Sequence, residues 1–167
     1  MVESSTSSTR PEADPLLHVV LVAPEIPPNT GSIARLCAAT RIRLHLVRPL
    51  GFSLDDRYLK RAGLDYWPHV DVVVHDDWNA LQRHFPDART HFFSARAQRS
   101  YTSVSYEAGD WLVFGSETKG LPPELLAKHR DETWLIPIFS PHVRSLNLSN
   151  AVSIVVYEAM RQLGRLQ

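Results

Sequence analysis

Cysteine is almost missing from this chain. Cys37 is the only one in 167 residues, so no internal disulfide can form, which suits a reducing cytoplasm. Net charge is missing too: 18 Lys+Arg offset 18 Asp+Glu, so the total advertises no general grip on nucleic acid. A local basic patch is a separate quantity and stays possible. No apolar run approaches the roughly 20 residues that span a bilayer, and the opening MVESSTSSTRPEADP lacks the apolar core of a signal peptide. The eight histidines are scattered without metal-ligand spacing, so no metal is expected. There is no GxGxxG, no Walker A loop and no internal repeat, so neither a dinucleotide Rossmann site nor a P-loop is supported.

What is present fits one soluble globular domain, with 44% hydrophobic and 22% charged residues. Residues 1–14 read as a disordered tail and 15–167 as a single domain. LLHVVLVAP (16–24) is a near-continuous apolar run ended by proline, the pattern of a strand buried on both faces. Further strands are expected in RLHLVRP (43–49), VDVVVHD (70–76), THFFSAR (90–96), DWLVFGSE (110–117) and TWLIPIF (133–139). Helices are expected over 29–40, from Asp55 to a stop near Gly63, over 78–85, over 121–129 with Pro122 and Pro123 in its first turn, and from about Asn147 to Leu163. Alternating strands and helices predict an α/β fold with a mostly parallel sheet flanked by helices. Ligands bind beyond the carboxyl ends of such strands, so the strand-to-helix junctions hold the candidate site.

Three junctions are informative. In PEIPPNTGSIAR, Asn29 or Thr30 can cap a helix, Gly31 permits close backbone approach, and Arg35 lies one turn further on. Arg35 is either a surface arginine or one aimed into a cleft at phosphate or ribose. In FGSETKGLP, Gly115 and Gly120 frame a polar loop able to offer backbone groups to a ligand. In IPIFSPHVRSLNLSN, Ser145 or Asn147 can cap the last helix, whose core stripe is Val152, Val155, Val156, Ala159 and Leu163. One cap does not explain Ser145, Asn147, Ser149 and Asn150 together.

These three stretches, in this order, resemble the three motifs of the SPOUT methyltransferases, and most closely the TrmL (YibK) subfamily of tRNA 2′-O-methyltransferases that act on the wobble nucleotide. PLGFSLDDRYLKRAGLDYW is also similar to that subfamily, so the resemblance covers nearly everything after the tail. It implies a C-terminal deep trefoil knot, a homodimer, S-adenosyl-L-methionine as cofactor and tRNA as substrate. Carried over by motif, Phe93, Gly115, Gly120, Ile136, Pro137, Ser145 and Leu146 would bind the cofactor. Arg35 and Asn147 would serve catalysis or substrate positioning, and Glu117, Arg144 and Tyr157 would face substrate. Arg57, Lys60 and Arg61 would contact phosphate or form a solvated helix face. Tyr66 and Trp67 would stack on bases or pack. Tyr157 would lie in the core or the dimer interface, or reach RNA from the partner subunit.

A guanidinium is effectively always protonated, so placing a phosphate or stabilising negative charge asks less of Arg35 than acting as a base. The chain departs from the subfamily pattern in one place: the segment between Ile136-Pro137 and Arg144-Ser145 carries an extra residue in FSPHV. Two other readings remain open at this point, a relative acting on another tRNA or rRNA nucleotide, and a non-catalytic RNA-binding module that has kept the fold.

Overall fold

The computed structural model describes residues 14–55, 57, 59, 61 and 67–167. Six parallel strands form one sheet in the order β3-β2-β1-β5-β4-β6. They are β1 (His18–Val22), β2 (Arg43–Val47), β3 (Val72–His75), β4 (Thr90–Phe93), β5 (Trp111–Phe114) and β6 (Thr133–Trp134). The helices bounded within the described residues are α1 (Pro27–Thr40), α2 (Trp78–His84), α3 (Pro123–Lys128) and α4 (Leu148–Gln162). No described helix is long and apolar enough to cross a membrane.

Two-residue alternation sorts the apolar strand residues onto two faces. Val19, Leu21, Leu44, Leu46, Leu112 and Phe114 face α1 and α4. Val20, Val22, Val47, Phe92, Trp111 and Val113 pack with Leu81 of α2 and Leu125 of α3. Helices on both faces bury β1 completely, which is why its sequence shows no polar alternation. On α4 the expected stripe holds: Val152, Val155, Val156 and Ala159 are fully buried and Leu163 is half-buried. Tyr157 and Ile154 point outward, so Tyr157 is not a core residue of this chain.

Two expectations need correction. The sixth strand does not run to Phe139, because β6 ends at Trp134 and Leu135 then bridges away from it. Leu135 donates to the Arg99 carbonyl and accepts from the Tyr101 N–H, each at 2.8 Å, and Pro137 has no N–H to extend a ladder. Neither Asn29 nor Thr30 caps α1; its N-cap is Ile26, which offers no side-chain bond. None is needed there, since Pro27 and Pro28 remove two of the orphan N–H groups of the first turn and Asn29 N–H bonds the Ile26 carbonyl at 3.1 Å. The helix expected from Asp55 falls largely outside the described residues, Lys60 and Tyr66 among them; of its described residues Leu59 is buried and Arg57 and Arg61 are exposed. Trp67 lies in a 3₁₀ turn, packed against the core.

One polar stripe crosses the face covered by α2 and α3. His18 Nδ1 lies 2.9 Å from His45 Nε2, and His45 Nδ1 lies 2.9 Å from His75 Nε2. Trp111 stacks on His18, with centroids 4.1 Å apart, and Phe85 stands edge-on to His45. A neutral imidazole donates from one nitrogen and accepts on the other, so three neutral rings in a row can satisfy one another. Burial, helped by the Arg43 charge, pushes His18 down to about 4. Burial and the two flanking histidines push His45 down to about 2, and burial with His84 nearby lowers His75.

These groups accept protons more readily in the unfolded chain, so stability is fully present above pH 6.5, the ordinary histidine value, and is lost as pH falls from there toward 4. Each such histidine adds a slope of about 1.4 kcal/mol per pH unit in that window. Urea unfolding at fixed protein concentration across pH 7.5 to 4.5 should show this decline. His45→Gln should remove about one histidine's share of the slope, and an unchanged slope would contradict the assignment.

Candidate active site

The carboxyl ends of β4, β5 and β6 open into a cavity of about 320 Å³. Phe93 and Phe114, the last residues of β4 and β5, stack at 5.0 Å between centroids and give it an apolar wall. The loop after β5 supplies a polar rim through Ser116, Glu117, Thr118 and Lys119. Ile136 and Ile138 enter from the segment after β6, while Pro137 between them is exposed and does not line the cavity, as alternation in an extended chain dictates. Arg144, Ser145 and Leu146 close the far side, backed by Leu148 and Ala151 of α4.

The β5 loop doubles back on itself. Ser116 and Gly120 form an antiparallel bridge, with Gly120 N–H donating to Ser116 O at 2.9 Å and Ser116 N–H to Gly120 O at 3.3 Å. Lys119 N–H donates to Ser116 Oγ at 3.2 Å. The turn needs both glycines. Gly120 has φ +67°, and a Cβ on Gly115 would fall 2.0 Å from the Gly120 carbonyl carbon and 2.2 Å from Leu121 N. Those neighbours are backbone and cannot step aside.

This loop is clasped to the start of α1. Glu117 Oε2 accepts from Glu25 N–H at 2.8 Å and Ile26 N–H at 3.0 Å. In return the Thr118 hydroxyl donates to the Glu25 carboxylate at 2.7 Å. The third junction joins the same helix end. Asn147 is the N-cap of α4, its Oδ1 accepting from Ser149 N–H at 3.0 Å and Asn150 N–H at 3.3 Å, and its Nδ2 donates to Asn29 Oδ1 of α1 at 3.0 Å. Ser153 Oγ donates back to Ser149 O at 2.8 Å.

The cavity thus gathers Phe93, Gly115, Glu117, Gly120, Ile136, Arg144, Ser145 and Leu146, and leaves out Pro137, Arg35, Asn147 and Tyr157. Arg35 is exposed on α1, nine residues past the clasped N-cap, or about 13 Å along the axis. Tyr157 is exposed on α4. Sequence reasoning passed over the short turn after β4, where Ser94, Ala95 and Arg96 also line the cavity. The signal was available: these residues follow a strand's carboxyl end, as the other lining loops do. Among the described residues no cluster of histidine, cysteine or carboxylate side chains could hold a metal ion.

The Gly115 contact yields a direct test. Gly115→Ala should displace the 120–121 backbone and cost about 3 kcal/mol, the upper end for overpacking a filled site. Thermal unfolding by circular dichroism would read it; a melting temperature equal to wild type would mean that the close approach is not a constraint.

Comparison with known proteins gives the arrangement its family. The model of the SpoU rRNA Methylase family matches residues 16–157. A curated tRNA (cytidine(34)-2'-O)-methyltransferase of Burkholderia cenocepacia is 51% identical over 151 residues, covering 89% of this chain and 97% of that one. Its namesake from Escherichia coli K12 is 49% identical over 150 residues, covering 89% and 95%. A solved structure, described as giving structural insights into the 2-OH methylation of C/U34 on tRNA, superposes with TM-score 0.85 at 51% identity, over 91% of this chain and 99% of that one. The SpoU methyltransferase AviRb from Streptomyces viridochromogenes, solved with AdoMet, shares the fold at TM-score 0.76 and 22% identity. With its parallel sheet, its three clasped junction loops and these relatives, the chain belongs to the SpoU methylase family.

Proposed function

We propose that this chain transfers a methyl group from S-adenosylmethionine to the ribose 2′-OH of nucleotide 34, the wobble nucleotide of tRNA. The carrying observation is near-full-length likeness: the curated cytidine-34 methyltransferases are about half identical to it across 95 to 97% of their own length. A minimal RNA enzyme of this kind works as one domain, residues 15–167, in the cytoplasm and as a homodimer. The exposed Ile154 and Tyr157 on α4 suit a partner subunit. The reading also assigns the C-terminal stretch a deep trefoil knot, an arrangement that would hold the 115–121 loop against the 136–146 segment.

The cavity fits the cofactor. Its volume lies in the range of small-molecule sites. The stacked Phe93–Phe114 pair with Ile136 and Leu146 offers apolar walls for adenine, and the glycine-framed loop offers backbone groups for its polar edge. Bound there, S-adenosylmethionine supplies an electrophilic methyl group. The chain's own residues orient the acceptor and exclude water. Glu117 and Asn147 act at one remove: their polar atoms hold α1 in place, and through α1 they set where Arg35 stands. Arg35 then faces the acceptor ribose and its phosphate from outside the cofactor cavity, stabilising the charge that develops on the 2′ oxygen.

Transfer of labelled methyl to tRNA, followed by mass spectrometric mapping, tests this reading. Label at O2′ of nucleotide 34 is expected; label on another nucleotide, or none, would replace the reading. Arg35→Ala should lose methyl transfer while calorimetry shows unchanged S-adenosylmethionine binding. Retained activity would remove Arg35 from the mechanism.

A further inference from the structure

Phe139 is the most exposed large apolar side chain of the described residues, at 95%. It is the residue the sixth strand was expected to end on, and it opens the FSPHV stretch. Its neighbour Ile138 lines the cavity and so does Arg144, five residues on, so the backbone at Phe139 borders the cavity while its ring, alternating with Ile138, is turned to solvent. The turn beneath it is closed. Val143 N–H bonds Ser140 O at 3.4 Å, His142 N–H bonds Ser140 Oγ at 3.2 Å, and Pro141 occupies the position that fixes such a turn. The ring is thus presented on a defined base.

The charges around it indicate the partner. Three cations line the cavity, Arg96, Lys119 and Arg144, and none forms an ion pair among the described residues. The one acid on the lining, Glu117, is committed to backbone N–H groups. S-adenosylmethionine itself carries a net positive charge, since its sulfonium and amine outnumber its carboxylate. Three unpaired cations do not complement such a molecule; they complement a polyanion lying across the mouth. A polyanion that also offers flat apolar faces is single-stranded RNA, whose unstacked bases are read by stacking on exposed aromatic rings.

We propose that Phe139 is a stacking platform for a nucleobase of the substrate RNA, one that holds the nucleotide while Arg96, Lys119 and Arg144 take neighbouring phosphates. This rests on the methyltransferase reading and adds a specificity-determining residue to it. Phe139→Ala, Phe139→Leu and Phe139→Trp would be compared with wild type in methylation of tRNA, in S-adenosylmethionine binding by calorimetry and in self-association by sedimentation.

Alanine and leucine are expected to raise KM for tRNA by about five- to a hundredfold, the range for loss of one base–aromatic stack, with kcat unchanged. Tryptophan should restore KM, and its added fluorescence should be quenched by tRNA. Cofactor affinity and oligomeric state should not move. An unchanged KM in Phe139→Ala, or full rescue by leucine, would overturn the proposal. Weakened self-association in Phe139→Ala would also overturn it, by making the ring a contact between two copies. A wild-type protein that transfers no methyl to RNA would instead remove the underlying methyltransferase reading, so the two failures are distinguishable.

Discussion

One carboxylate sets the geometry of the site. Glu117 reaches from the loop after β5 to the backbone N–H groups of Glu25 and Ile26, where α1 begins. Bonds to an ionised acceptor are about twice as strong as neutral ones, and this one holds two donors at once. The Thr118–Glu25 bond runs the other way across the same gap, and Asn147 ties the next helix to Asn29. Three loops far apart in sequence are thereby referred to one helix end. Their strength is modest beside that of the core, whose two apolar layers on either face of the sheet carry the stability. What the polar links fix is relative position, which methyl transfer requires.

This changes how the motif residues divide their work. Glu117 and Asn147 carry the chemistry of active-site residues, yet their oxygens are occupied by backbone and capping bonds. The lining of the cavity is left mainly to apolar rings, glycine-framed backbone and three cations. The surplus of small polar residues before α4 resolves in the same way. Asn147 caps, Ser149 and Asn150 give it their N–H groups, and Ser145 lines the cavity.

Much of this was legible in the sequence, and the rest was hidden for identifiable reasons. Near-continuous apolar runs and intervening amphipathic helices gave the parallel α/β class and the α4 stripe, because burial on both faces leaves a local signature. The double proline is itself a helix-start signal that places the N-cap at Ile26, ahead of the Asn29 or Thr30 cap expected from residue type alone. Two prolines in the first turn make such a cap unnecessary. The early end of β6 was illegible, since Ile136-Pro137-Ile138 reads as strand and leaves the sheet only because Leu135 is taken by Arg99 and Tyr101. The histidine stripe was illegible too. His18, His45 and His75 lie 27 and 30 residues apart, and only the parallel register makes them neighbours.

The proline pair at the head of α1 has a consequence for selectivity. A helix start is ordinarily an anion receptor, with bare amides and a positive dipole end turned toward phosphate. Here two of those amides are absent by covalent structure, and the amides just before them are held by the Glu117 carboxylate. The helix that borders the site therefore presents a mute end to nucleotide phosphates. An anionic ligand therefore finds no helix-end site there, and in the proposed reaction recognition of the RNA falls to side chains.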